Sequence, residues 1–145
     1  MISFSFDTKS FNRNEYLVEI GFIWSSGHIC IANQQAIIIF EDVPVVGILY
    51  ALYERISRFA VAQRNPNNIT DDGTYNFDIY MNYNEIEIRP GWGYSNGTPF
   101  LQDKEDFMLE LRIAIKNAYK ANCLINNQLD NIELPETLAW IIATS

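Results

Sequence analysis

Apolar residues first recur at every second position. Ile2, Phe4 and Phe6 alternate with serines, and Tyr16, Val18, Ile20, Phe22 and Trp24 keep the same period over a longer run. Period two is the signature of a half-buried strand, because successive side chains point to opposite sheet faces. Ser25-Ser26-Gly27 predicts a turn, His28 to Ala32 a further strand, and Asn33-Gln34-Gln35 another turn. The run Ala36-Ile37-Ile38-Ile39-Phe40 is continuously apolar and predicts a strand covered on both faces. The opening is thus a meander of three strands, four with Ile2–Phe6.

The period then lengthens. Val46, Leu49, Tyr50, Tyr53, Ile56 and Ala60 follow at three- and four-residue steps, predicting a helix over 43–63. Pro44 suits a first helical turn, and Glu41 and Asp42 just ahead would complement the helix dipole. Residues 64–73 are dense in turn formers and predict a surface loop. Alternation returns in 76–83, with Phe77, Ile79, Met81 and Tyr83 on one side and Asp78, Tyr80 and Asn82 on the other. It continues in 85–89, where Ile86 and Ile88 alternate with Glu85, Glu87 and Arg89. Tyr83-Asn84 joins the two runs as a hairpin. A glycine-rich loop over 90–99 follows, then a helix over 103–124. Its N-cap is Asp103, and its stripe is Phe107, Met108, Leu111, Ala114, Ile115, Ala118 and Tyr119. A short helix over 135–142 closes the chain.

The order β-β-β-α-β-β-α predicts one α+β domain over 1–145. Its sheet is mainly antiparallel, of about five to six strands, with two main helices packed on one face. A predicted core joins Ile20, Phe22, Ile38, Leu49, Tyr53, Ile79, Leu111 and Ile115. The length of 145 residues suits one domain, and 48% hydrophobic with 14% aromatic residues can fill such a core.

Charge narrows the partners. Ten basic against eighteen acidic side chains give −8. Split after Gly73, the halves carry five basic with eight acidic and five with ten, so neither is basic. A nucleic-acid backbone needs clustered Lys and Arg, so no nucleic acid is expected as ligand; a basic protein partner would be steered in by this field. The N-terminus lacks the basic head and apolar stretch of a signal peptide. No stretch approaches the ~20 apolar residues of a membrane span. The expectation is a cytoplasmic protein with no membrane association, in which Cys30 and Cys123 are reduced, buried thiols.

Candidate chemistry is sparse. His28 and Cys30 share a strand face, but His28 is the only histidine and Cys123 the only other thiol. A zinc site would lack ligands. A Cys–His pair two apart would be ~6.5 Å apart along the strand, too far for direct proton transfer. No Gly-x-Ser-x-Gly elbow and no phosphate-loop lysine occur, and Gly91-Trp92-Gly93 lacks the βαβ setting of a dinucleotide loop. In the stretch ending Asp71-Asp72-Gly73, Ile79 holds the place where a calcium loop needs Glu. Asn68-Ile69-Thr70 and Asn96-Gly97-Thr98 match the glycosylation sequon, with no secretion signal to give them meaning. No catalytic constellation, metal or cofactor is therefore expected. What remains is an acidic, aromatic stretch: Asp78, Tyr80, Glu85 and Glu87 on the hairpin, with Trp92 and Tyr94 in the loop after it. Aromatic residues at a surface are what protein interfaces use as anchors.

Phe4-Ser5-Phe6-Asp7, Tyr16 to Trp24, Ala36 to Asp42 with the helix opening Glu-Asp-Val-Pro, and Asp78 to Arg89 together make a pattern covering most of the chain. It resembles small bacterial immunity proteins of polymorphic-toxin and contact-dependent inhibition systems. The resemblance implies a cytosolic, non-catalytic protein that blocks a cognate toxin domain through acidic and aromatic side chains. No family binding residue transfers, since the match is of pattern and not of motif. Two alternatives stand beside it: a small-ligand binder or enzyme using carboxylates near Asp78, Glu85 and Glu87, and a structural assembly subunit.

Overall fold

A computed structural model describes residues 1–7, 25–58, 67–68, 76–92, 98–125 and 134–144; at 67, 68, 76–78, 82 and 90–92 it describes the backbone alone. The predicted strand over Tyr16–Trp24, with Ile20 and Phe22, lies outside these residues, as do Tyr94 and most of the loop over 64–73.

The alternating N-terminal segments form an antiparallel sheet in the order β1-β2-β3, from β1 (Ile2–Phe6), β2 (Ser26–Ala32) and β3 (Ile37–Pro44). Helix α1 (Val45–Ser57) follows directly. A second antiparallel sheet runs β4-β5-β6-β7, from β4 (Asn67–Asn68), β5 (Asn76–Asn82), β6 (Glu85–Trp92) and β7 (Phe100–Asp103). The helices α2 (Lys104–Ile125) and α3 (Glu136–Ala143) complete the chain. The α+β class and the antiparallel pairing hold. The single sheet of five to six strands does not: among the described residues seven strands form two sheets. The two strands that the sequence pattern does not predict are short ones. β4 is two asparagines, and β7 is four residues between Pro99 and a helix, so neither is long enough to show a period.

Apolar faces meet in one core. Ile29, Ile31, Ile38 and Phe40 from the first sheet join Ile79, Met81, Ile86, Ile88 and Phe100 from the second. Val46, Leu49, Leu52 and Ile56 of α1 and Phe107, Leu111, Ile115 and Ala118 of α2 fill the space between them. Helix α2 touches α1, α3, β1, β6 and β7. Ser25 fastens α1 to the far end of α2: its N–H donates to Asn122 Oδ1 at 3.0 Å and its carbonyl accepts the Val45 N–H at 3.2 Å.

Several expectations need correction. Ser26 and Gly27 belong to β2 rather than to a turn. In β3 the burial alternates, with Ile38 and Phe40 buried but Ile37 43% exposed, so its outer face is not fully covered. Glu41 and Asp42 lie within that strand, which runs on to Pro44; Asp42 adopts φ 52°, and Pro44 precedes α1 rather than standing in its first turn. On α1, Leu52 takes the fully buried position and Tyr53 is only half-buried. Pro90, Gly91 and Trp92 extend β6 instead of opening a loop. Tyr83 sits in the hairpin turn at φ 56°, 69% exposed, so it leaves the apolar row. Cys30 and Cys123 are free thiols but half-buried rather than buried.

Tyr50 offers a pH handle. Its hydroxyl donates to Glu54 Oε1 at 3.1 Å. Burial, then the Glu54 charge and this hydrogen bond, push the phenol up to about 12, against smaller lowering by Thr137 and Arg58. The folded state thus prefers the neutral phenol more than the unfolded chain does. The associated stability is fully present below pH 10 and is lost as pH rises from 10 through about 12. Denaturation midpoints across that window should fall more steeply for the wild type than for Tyr50→Phe. Parallel curves would show that Tyr50 contributes nothing.

Candidate functional site

The β5–β6 hairpin sorts its residues by parity. Cross-strand pairing sets Asp78 opposite Arg89, Tyr80 opposite Glu87 and Asn82 opposite Glu85. The intervening Ile79, Met81, Ile86 and Ile88 are buried, which turns Tyr80, Glu85, Glu87 and Arg89 to the outer face. β7 adds Leu101 opposite Glu87 and Asp103 opposite Glu85.

Two regions differ in charge. At the centre, Arg89 lies 4.7 Å from the Tyr80 ring centroid, and its Nε donates to Glu87 Oε2. The Glu87 side chain is only 13% exposed, so its charge is spent within the protein. At the turn end, Glu85 and Asp103 are both exposed and directly opposed. Like charges in that relation are unfavourable. One Asp103 oxygen, Oδ2, accepts the Asp106 N–H at 3.1 Å and so caps α2, and the Asn84 carbonyl accepts the Lys104 N–H at 2.6 Å. These two hydrogen bonds tie the turn to the helix start beside the acidic pair. Asn33 Nδ2 donates to the Leu101 carbonyl on β7 at 2.9 Å and ties the first sheet to that strand.

The predicted residues therefore divide. Tyr80, Glu85 and Glu87 come together on one face, and Asp78 takes a backbone position beside them. Trp92 pairs with Asn76, at the end of β6 away from the turn. It lies seven positions along β6 from Glu85, about 23 Å along the strand. The set is an elongated stripe rather than a compact patch. Arg89, Leu101 and Asp103 belong to the face and were not anticipated. Asp103 was legible only as a helix cap, because β7 was not seen; Arg89 was visible in the alternation, but its pairing with Glu87 needed the side-chain geometry.

On the first sheet, His28 is exposed opposite Ser5, and Cys30 lies opposite Ser3. Among the described residues, no group of three or more His, Cys, Asp or Glu side chains is placed to hold a metal ion. No helix among them is long and apolar enough to cross a membrane.

The fold and this face define the chain as an α+β protein with an acidic, aromatic outer sheet. Compared with known proteins, the chain matches no family model, no curated protein and no solved structure.

Proposed function

We propose that this is a non-catalytic protein-binding module that neutralises a basic partner, of the kind an immunity protein makes with a cognate toxin domain. The observation that carries the reading is the outer face of β5–β7. An aromatic–arginine–carboxylate centre of Tyr80, Arg89 and Glu87 adjoins an exposed acidic pair, Glu85 and Asp103. Preorganised aromatic and Arg groups are what interfaces use as anchors, and exposed charge beside them raises the association rate. The net charge of −8 favours a basic partner in the same way.

The test uses the protein domains encoded by genes next to this one, produced singly and together with the chain. A neighbouring domain that arrests growth alone, and is silenced by co-expression and direct binding, is the expected result. With that domain in hand, Glu85→Gln should slow association about threefold at low salt and flatten its salt dependence, leaving dissociation nearly unchanged. No binding to any neighbour's product, or an association rate indifferent to Glu85, would overturn the proposal.

A further inference from the structure

Helix α2 has a second, outward stripe that the proposed function does not use. Its buried residues Phe107, Leu111, Ala114, Ile115 and Ala118 face the core. At 3.6 residues per turn, Leu109, Ile113, Lys116 and Lys120 gather on the opposite side within an arc of ~60°. Leu109 is 50% exposed and Ile113 53%, so two branched apolar side chains stand in water one turn apart. The charges on α2 are also segregated. After Lys104 at the first position, Glu105, Asp106 and Glu110 precede Arg112, Lys116 and Lys120, with no acidic residue from 111 to 125. Arg112 is drawn aside, 5.7 Å from the Trp140 ring centroid on α3.

From this arrangement we infer that the outer face of α2 pairs with the same face of a second copy of this chain, antiparallel about a two-fold axis at Ile113. Antiparallel pairing sets a residue n places before Ile113 opposite the residue n places after it in the other copy. Asp106 stands seven before and Lys120 seven after, both exposed. Each copy's Asp106 therefore meets Lys120 of the second copy, giving two symmetry-related ion pairs. Ile113 packs on its own equivalent at the axis, and Leu109, four before it, falls opposite Asn117, within reach of the aliphatic stem of the adjacent Lys116 of the second copy. Helices 8–10 Å apart bring such side chains into contact.

The charge order selects this occupant over others. An anionic membrane would meet Glu105 and Asp106 at the start of the stripe, and a foreign helix would need the same inverted charge order at the same spacing. A copy of α2 supplies it by symmetry, as isologous interfaces do. The repulsion of two chains at −8 each is screened beyond ~8 Å at physiological salt. One helix pair buries less than a standard interface, so the dimer is weak, with Kd on the order of 100 µM.

Sedimentation of the full chain from about 10 µM to 1 mM, in ~150 mM salt, tests the inference, with thermal melts confirming that each variant is folded. The wild type should shift from monomer towards dimer mass, and Ile113→Lys should stay monomeric. Asp106→Lys and Lys120→Glu should each weaken association about tenfold, since either change breaks both pairs and opposes like charges. The doubly substituted Asp106→Lys/Lys120→Glu chain restores opposite charges across the axis and should recover wild-type association. A wild type that remains monomeric throughout overturns the inference. So does an Ile113→Lys chain that associates normally, or a double variant as weak as the singles, which would move the contact to another face or to a foreign partner.

Discussion

Leu111→Ala should lower the unfolding free energy by about 2–5 kcal/mol. Leu111 is fully buried at the middle of the α2 stripe, with Phe107 and Ala114 one turn to either side and Ile115 and Ala118 beyond. Removing its branched end forfeits the transfer energy of the lost carbons and leaves a hole. Because α2 is touched by α1, α3, β1, β6 and β7, several elements would have to move together to close it. That places the expected cost in the upper part of the range. The better helix propensity of Ala offsets only a few tenths of a kcal/mol. Ile38→Ala, on β3 and equally buried in the same core, should fall in the same range. Ile113→Ala, on the exposed side of the same helix, should stay within about 0.5 kcal/mol at protein concentrations where the chain is monomeric. Urea titrations read all three, with midpoints shifting and slopes held constant. A loss below 1 kcal/mol at both Leu111 and Ile38 would mean that the core has been assigned to the wrong faces.

The contrast between Leu111 and Ile113 also marks how far sequence reasoning reached. Both helical stripes and the β5–β6 hairpin were legible, because burial of a long element writes its period into the chain: 22 residues in α2 and a seven- and an eight-residue strand in the hairpin. Short elements leave no such record. β7 turns Phe100 inward and Leu101 outward, and Gln102, half-buried with Nε2 donating to Glu110 Oε2 at 2.9 Å, breaks the hydrophobic code. Without β7, Asp103 could not be placed beside Glu85, and the acidic pair at the hairpin corner stayed hidden. The free charge on that face is not legible in sequence for a different reason. Glu85 and Glu87 look equivalent in sequence, yet Glu87 is committed to Arg89 and Glu85 is not. Only side-chain geometry separates them. Likewise, nothing in the run Glu41-Asp42-Val43-Pro44 shows that Asp42 would take a left-handed conformation and hold the strand to Pro44.

Gly27→Ala should destabilise the protein by about 3 kcal/mol, at or beyond the upper end for an overpacked site. In sequence this glycine reads as a turn residue, freely replaceable if its φ is ordinary. In the fold it is a buried residue of β2 whose backbone pairs with Phe6 on β1 and Val43 on β3. A Cβ built there would overlap the Ser5 carbonyl oxygen and lie 2.8 Å from the Phe6 Cα. Those are backbone atoms, so no side-chain rotation relieves the clash, and β1 must separate from β2. Two effects compete. Alanine restricts the unfolded chain and would add about 0.4–1 kcal/mol of stability where it fits; here the overlap is several times larger and decides the sign. The register shift between Gly27 and Ile29 lies immediately alongside, so the strand has already spent its local freedom. The damage should be regional as well as global. Hydrogen exchange should quicken at β1 amides and at the Asp7 N–H, which donates to the Ser26 carbonyl at 2.9 Å. The β5–β6 amides should keep most of their protection relative to the reduced global stability. An alanine variant as stable as the wild type, with β1 amides still protected, would show that β1 does not approach Gly27 as closely as the structure places it.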